Sequence, residues 1–350
     1  MNKIKWIIFT LAVIVMTVMV LGCTQDAASK EQAAELAQES QKGIFPGISQ
    51  DDEYIFVNCL RNIEFFSAHK YAWRKAGEAF GVKTSYVGPA DFDVPGMISA
   101  FDLALAKNPA GIIVWGVDPS LIPSIEKASS LGIPVVTIVG DLPNSSRISY
   151  VGSYQYDLGY VGGKGFAESV DGKGKVAILT LPGIIMFDER EQGFRDAFAL
   201  YPGIEVVAVG DTKADVVVAM QAAKDIMIRF PDLKGFVGTD STAAMGAATA
   251  VTEMNMVGKV FIVGMDRNSD LLQKIKEGVI TASVAQGDVM VPYWAMMSLI
   301  AQNYYKPMLT TDNKAAQAKV APDVIYIPSN YIDQSNLDYY LAANEKYMED

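Results

Sequence analysis

The sequence predicts an α/β protein of two similar lobes, each a doubly wound parallel sheet, and three observations predict it. Its short β-rich runs are nearly continuous in apolar residues, which marks parallel strands covered on both faces by helices. Those runs alternate with helical stretches, and the second half of the body repeats the order of the first. The 350 residues, 50% of them hydrophobic, suffice for two cores of this kind.

Ahead of the body stands a different kind of segment. Lys3 and Lys5 lead into Trp6–Leu21, sixteen residues without a charge. That is short of the roughly 20 apolar residues a spanning helix needs, and it fits the core of a secretory signal. The run closes on "VLGC" (20–23), which resembles the bacterial lipobox, where cleavage before the cysteine leaves that cysteine lipidated. Residues 1–22 therefore read as a lipoprotein signal peptide and Cys23 as the lipidation site, with an uncleaved anchor helix as the alternative. Either reading puts the body outside the cytoplasmic membrane. Residues 23–51 are polar and rich in Ala, Gln and Ser, and read as a lipid-anchored linker. With Cys23 lipidated, Cys59 has no partner, and it reads as a small semi-buried thiol rather than a nucleophile.

From Tyr54 the elements follow in order. "YIFVN" (54–58) is a strand, and in Glu64–Phe80 the residues Phe65, Ala68, Ala72, Ala76 and Ala79 share one helical stripe. "TSYVG" (84–88), a helix to about Lys107, "GIIVWG" (111–116), a helix over Ser120–Leu131 and "PVVTIVG" (134–140) complete the first half. The second half runs "KVAILT" (175–180), a helix over Phe187–Leu200, "IEVVAVG" (204–210) and a helix to about Arg229. It ends with "GFVGTD" (235–240), a helix over Ala243–Met254 and "KVFIVGMD" (259–266).

Two matching strands, "GIPVVTIVGD" (132–141) and "GKVFIVGMD" (258–266), finish on carboxylates, Asp141 and Asp266. In open parallel sheets ligands bind beyond the carboxyl ends of the strands, so one acid from each lobe would line a groove between them. The alternative is that each acid caps a following helix.

The net charge of −11 leaves no basic excess to displace counterions from phosphate, so no nucleic-acid partner is expected. One histidine, His69, and two cysteines cannot assemble a zinc site of the usual Cys/His type. "GGKG" (162–165) and "DGKGK" (171–175) lack the spacing and Ser/Thr of a phosphate-binding loop, and no GxSxG elbow is present. The two acids could in principle perform acid–base chemistry. Equivalent strand-end positions in duplicated lobes fit hydrogen bonding to a polyhydroxy ligand better. No enzyme activity, cofactor or metal is expected.

Several motifs in order carry a family likeness: "IEFF" (63–66), "DEREQGF" (188–194), "TDSTAAMGA" (239–247), "VGMD" (263–266) and "GVITASVAQ" (278–286). With the lipobox and the paired lobes, they resemble the type I periplasmic solute-binding proteins, on the branch of ribose, xylose, galactose and related sugars, over roughly residues 52–330. The resemblance implies two lobes joined by a multi-crossing hinge, with 52–153 plus about 286–315 in the N-terminal lobe. It puts 154–285 plus about 316–335 in the C-terminal lobe and 336–350 in an extension, which its helical, charged character makes an extra surface helix. It implies Phe65 and Phe66 as an aromatic platform, Arg190 as a donor to ligand oxygens, and Asp240, Asp266 and Gln286 as polar partners. A core role for either Phe, and surface pairing of Arg190 with Asp188 or Glu191, are the rival readings. Trp115 is either a further stacking surface or core.

The sequence departs from the family where an Asp-Arg pair is replaced by Val139-Gly140, followed by Asp141, so a second guanidinium is missing. The aromatic often found near Lys213–Ala214 is missing too. Three acids, one arginine and a glutamine favour a neutral sugar or polyol over an anion. The resemblance further implies a monomer that closes on its ligand and docks on the permease subunits of an ABC importer. A sensory partner, a membrane kinase or chemoreceptor, and autoinducer-2 as ligand are the alternatives.

Overall fold

The computed structural model describes residues 47–304, 309–311, 316 and 318–348. Cys23, the expected signal peptide and nearly all of the expected linker lie outside the described residues. The body is the unit that begins at Ser49.

One lobe opens with β1 (Glu53–Val57), α1 (Phe65–Phe80), β2 (Lys83–Val87), α2 (Val94–Ala106), β3 (Gly111–Trp115), α3 (Ile122–Ser130), β4 (Val135–Ile138) and β5 (Ser149–Gly152). The other holds α4 (Gln155–Ser169), β6 (Lys173–Thr180), α5 (Ile185–Ala199), β7 (Gly203–Asp211), α6 (Val216–Arg229), β8 (Leu233–Gly238), α7 (Ser241–Glu253), β9 (Phe261–Met265), α8 (Ser269–Lys276) and β10 (Ala282–Ala285). The chain then returns to the first lobe with α9 (Met290–Tyr304) and β11 (Val324–Tyr326), and ends in the second with β12 (Asn330–Ile332) and α10 (Leu337–Met348).

The two sheets have the same topology, β11-β5-β4-β3-β1-β2 and β12-β10-β9-β8-β6-β7. All pairs are parallel except β12 on β10. Strand order reverses between β1 and β3 and again between β6 and β8, the place where such sheets open a crevice at their carboxyl ends.

Both faces of each sheet are covered, as the unbroken apolar runs require. In β1, Ile55 and Val57 join Met97, Phe101 and Ile125 under α2 and α3, whereas Phe56 turns to Phe66 and Trp73 of α1. In the second lobe Ile178, Val237 and Val263 pack on Phe166 and Phe194, and Leu179, Phe236 and Ile262 on the α6–α8 side. Each such side chain contributes ~1.5–3 kcal/mol by leaving water.

The lobes are joined at Ser153–Tyr154, at Gln286–Val289 and at Ile327–Ser329, between the elements just named. These crossings touch: a Cβ on Gly287 would come 2.0 Å from Ile327 Cγ2, and the Ile327 N–H donates to the Gly152 carbonyl at 2.8 Å. The expectation that 316–335 belongs to the C-terminal lobe is corrected. β11 continues the first sheet beside β5, so only the chain after Ile327 crosses over.

Candidate ligand-binding site

The second lobe gathers its polar groups at the carboxyl ends of β8, β9 and β10. Asp240 begins α7 as its N-cap, with Oδ1 accepting the Ala243 N–H at 2.7 Å. Its second oxygen is left for another partner. Burial pushes the Asp240 carboxyl above its ordinary pKa, and the neighbouring Asp266 adds to that while Ala243 and Arg190 oppose it. Asp266 is the first residue past β9 and holds φ +71. Its backbone is pinned there, because its N–H donates to Val284 O at 2.9 Å and its carbonyl accepts Ser283 Oγ–H at 2.7 Å. Gln286, at the second crossing, donates Nε2–H to Asp266 Oδ1 at 3.1 Å.

Arg190 completes the cluster. It lies in the second turn of α5, not the first, because the helix starts at Ile185. It pairs with neither Asp188 nor Glu191, whose partners are Gly183 N–H and Arg195. Instead Nε donates to Gln155 Oε1 at 2.8 Å and Nη1 to Thr239 O at 2.7 Å. The side chain is 2% exposed, and its Nη2 has no hydrogen-bond partner. Burial lowers its pKa, and the charges of Asp266 and Asp240 resist the shift. A buried guanidinium with one unused nitrogen beside two acids has a vacant donor direction.

Close helix packing makes this possible. A Cβ on Gly159 would meet Arg190 O at 1.8 Å and one on Gly193 would meet Tyr156 O at 2.1 Å. The glycines of α4, Gly159, Gly162 and Gly163, therefore serve the α4–α5 contact that brings Gln155 to Arg190.

The first lobe contributes aromatics. Phe65 begins α1 and keeps part of its ring accessible. Phe66 is 1% exposed, set edge-on to Phe56 and against Trp115 at 5.2 Å, so it is core beneath Phe65 and not the accessible half of the expected two-ring platform. His69 backs the pair, its ring centroid 5.0 Å from Phe65 and 5.3 Å from Phe66. Trp115, at the end of β3, is half-buried and also meets the exposed Phe92 at 6.3 Å. It lies beside Gly140, where any Cβ would strike Gly116 O at 2.6 Å, so no larger residue fits at Gly140.

The structure does not bring Asp141 to this cluster. It turns back along β4, where Oδ1 accepts Thr137 Oγ1–H at 3.0 Å. Arg147 takes both carboxylate oxygens through Nε and Nη2, and its Nη1 reaches Asp323. Arg147 is 2% exposed and Asp141 partly exposed, so the pair closes the β4–β5 loop as a half-buried ion pair. A second guanidinium does exist in the lobe, but it is committed to this loop. Nor does Asp141 cap a helix, since none follows β4.

The two walls meet. Glu64, adjacent to Phe65, accepts the N–H of Ser269 at 2.8 Å and its hydroxyl as well, and Ser269 is three residues past Asp266. Phe65, Arg267 and Asp288 line one small cavity between the lobes.

This combination of fold and site has known counterparts. The periplasmic binding protein domain family matches residues 54–304. The chain belongs to that family. This periplasmic binding protein is 26% identical over 225 residues to a D-apiose import binding protein of Paraburkholderia graminis, covering 63% of this chain and 72% of that one. It is 26% identical over 245 residues to the D-allose-binding periplasmic protein of Escherichia coli, covering 67% and 79%. Among solved structures, an arabinose binding protein from Geobacillus stearothermophilus aligns with TM-score 0.78 at 27% identity, covering 83% of this chain and 99% of the other. The family consists of substrate-binding proteins, not enzymes.

For this binding protein the sequence missed Gln155, Thr239, Phe187, Arg267 and Asp288. Phe187 lies over the Arg190 guanidinium at 5.5 Å, an aromatic contact from the second lobe. Its place three residues before Arg190 on α5 was the available signal. Gln155 and Thr239 had none, since their role depends on how α4, α5 and β8 come together.

Proposed function

We propose that this chain traps a neutral, hydroxyl-rich ligand, a simple sugar or polyol, between its lobes and delivers it to an ABC importer. The observation that carries the reading is the unpartnered, buried Nη2 of Arg190 beside Asp240, Asp266 and Gln286, with the ring of Phe65 on the opposite lobe. A sugar ring needs this mixture: an apolar C–H face for an aromatic, and donors and acceptors for hydroxyls. The relatives' names point the same way, being import binding proteins for apiose and ribose and a binding protein for allose. The carboxylates of Asp240 and Asp266, set beside the single guanidinium of Arg190, disfavour a phosphorylated ligand. The lobes close about the three crossings, and ligand shifts the population toward the closed form.

Cys23 anchors the protein by lipid to the outer face of the cell membrane. Mass spectrometry of the membrane-extracted protein tests this: a lipid-modified N-terminal Cys23 is expected, and an N-terminus that retains residues 1–22 would overturn it. The ligand is tested by a thermal-shift screen of the mature protein against pentoses, hexoses, polyols and autoinducer-2. A ligand that binds only the folded state at 100 times its Kd adds about 2.7 kcal/mol of stability. A shift with a neutral sugar that disappears in Asp266→Ala supports the reading, and no shift with any compound overturns it.

A further inference from the structure

α10 lies outside the stretch that matches the family, and it spans both lobes. Its start is rooted in the second lobe, where Leu337 is 3% exposed and Tyr340 and Leu341 pack on the same core. At mid-helix Asn344, 7% exposed, holds Arg267 from both ends. Asn344 Oδ1 accepts from Arg267 Nε at 3.0 Å and Nη2 at 2.7 Å, and Nδ2 donates back to the Arg267 carbonyl at 2.8 Å. The guanidinium sits between the rings of Tyr340 and Tyr347, at 5.0 and 5.2 Å. Arg267 directly follows Asp266 and faces Asp288 of the second crossing, 4.0 Å from Oδ2. At its far end α10 leaves the second lobe: Tyr347 packs on Tyr71 of α1 with ring centroids 5.0 Å apart.

A second contact crosses beside it. α8 has no cap from its own Asn268, and its N-terminal Ser269 is held instead by Glu64 of the other lobe. A carboxylate there satisfies an orphan N–H and complements the helix dipole. Both contacts join α1 to the second lobe without a covalent link. The three covalent crossings do not require either of them.

We propose that α10 is a noncovalent fourth connection between the lobes, a latch that holds the closed arrangement, with Arg267 as the positioning residue that couples it to Asp266. Closure then brings Tyr347 onto Tyr71 and Ser269 onto Glu64, while Arg267 keeps the ligand-side loop in register with the helix. The latch acts on the lobe equilibrium itself, so it weakens or strengthens every ligand by the same factor, the change in the closed fraction. It builds on the two-lobed closing movement but not on which ligand the cleft takes.

The test therefore uses no ligand. Spin labels at Leu103→Cys on α2 and Ile228→Cys on α6, both exposed, report the distance between lobes. The full chain carries Cys23→Ser, and Cys59 is buried. Tyr347→Ala and Tyr71→Ala should each shift the distribution toward longer distances, with the closed-to-open ratio falling roughly tenfold. Tyr347→Phe, which keeps the ring on Tyr71 and removes only the hydroxyl beside Arg267, should open the lobes less than Tyr347→Ala. Asn344→Ala, which leaves Arg267 the Tyr340 carbonyl and Asp288, should shift the distribution in the same direction as Tyr347→Ala. Circular dichroism confirms that each variant is folded. Distributions unchanged in Tyr347→Ala and Tyr71→Ala overturn the latch, as would a Tyr347→Phe variant that opens as far as Tyr347→Ala.

Discussion

Val139 and Asp266 occupy the same place in the two lobes. Each is the first residue past the fourth strand of its sheet, and each holds a left-handed backbone, at φ +63 and +71. In the first lobe the turn is closed by the Gly140 N–H on Ile138 O at 2.7 Å and by Tyr150 Oη–H on Val139 O at 3.1 Å. In the second, Val284 and Ser283 hold Asp266. The duplicated lobes thus share a strained turn facing the crevice, and only one of them fills it with a carboxylate. A β-branched residue in this region is an outlier that surrounding structure must enforce.

Asp266 therefore separates binding from stability. Asp266→Gly removes the carboxylate and relieves a left-handed conformation that costs an L-residue about 1–2 kcal/mol. The variant should melt at or above the wild-type temperature while its ligand affinity falls by ~10–100-fold, since a charged hydrogen-bonding partner is lost. Calorimetric melting and titration calorimetry on one preparation check both halves.

Arg190→Lys keeps the charge but removes the planar fork. A lysine ammonium cannot reach Gln155, Thr239 and the ligand together, so one buried acceptor goes unsatisfied. The expected result is a loss of ~10–100-fold in affinity with about 1–3 kcal/mol of destabilisation. Titration calorimetry and denaturant unfolding measure the two.

Asp141→Ala should do the opposite of Asp266→Gly. It leaves Arg147 buried, with only the exposed Asp323 for a charged partner. Because Asp141 is partly exposed and Asp323 remains, the expected cost is about 1–3 kcal/mol, below that of a fully buried pair. Ligand affinity should stay within about twofold of wild type. An affinity loss as large as that of Asp266→Gly would return Asp141 to the ligand.

The sequence made the fold readable where strands are central and buried on both faces, as in Tyr54–Asn58 or Lys259–Asp266, because their apolar runs are uninterrupted. It hid the edges. β11 and β12 have three residues each and draw their identity from pairing with β5 and β10, so the third crossing was expected too early. Asp141 misled for a related reason. Strand ends that match in sequence by their aspartates match in space by their left-handed residues, which puts Val139 opposite Asp266. Arg147, six residues on, has no periodic relation to Asp141, and only the fold of the loop brings them together. Asp266 was legible from its strand end, and Arg190, Asp240 and Gln286 through the motifs that carry the family resemblance; the fold brings the four side chains near one another. The grip of Asn344 on Arg267 joins residues 77 apart in sequence, and nothing local announces it.

The last prediction concerns pH. Asp288 is 4% exposed, its Oδ1 has no partner, and burial pushes its carboxyl up to about 7, with Arg267 opposing and Asp266 adding to the shift. Its folded pKa lies above the unfolded value of 3.8, so between those limits the folded state holds a proton that the unfolded state has lost. This group's contribution is therefore full below pH 3.8 and is lost as pH rises through about 7, by at most about 1.4 kcal/mol per pH unit. His69 runs the other way: burial lowers it to about 4 from 6.5, so its contribution is lost as pH falls through that window. The two slopes overlap in the wild type, and a single melting curve cannot separate them. Comparing wild type with Asp288→Asn cancels His69. The stability of Asp288→Asn relative to wild type should rise from pH 4 to pH 7 and then level off. A difference that stays flat across this range would mean that Asp288 titrates like an exposed carboxylate, and the cavity beside Arg267 would then have to be open to water.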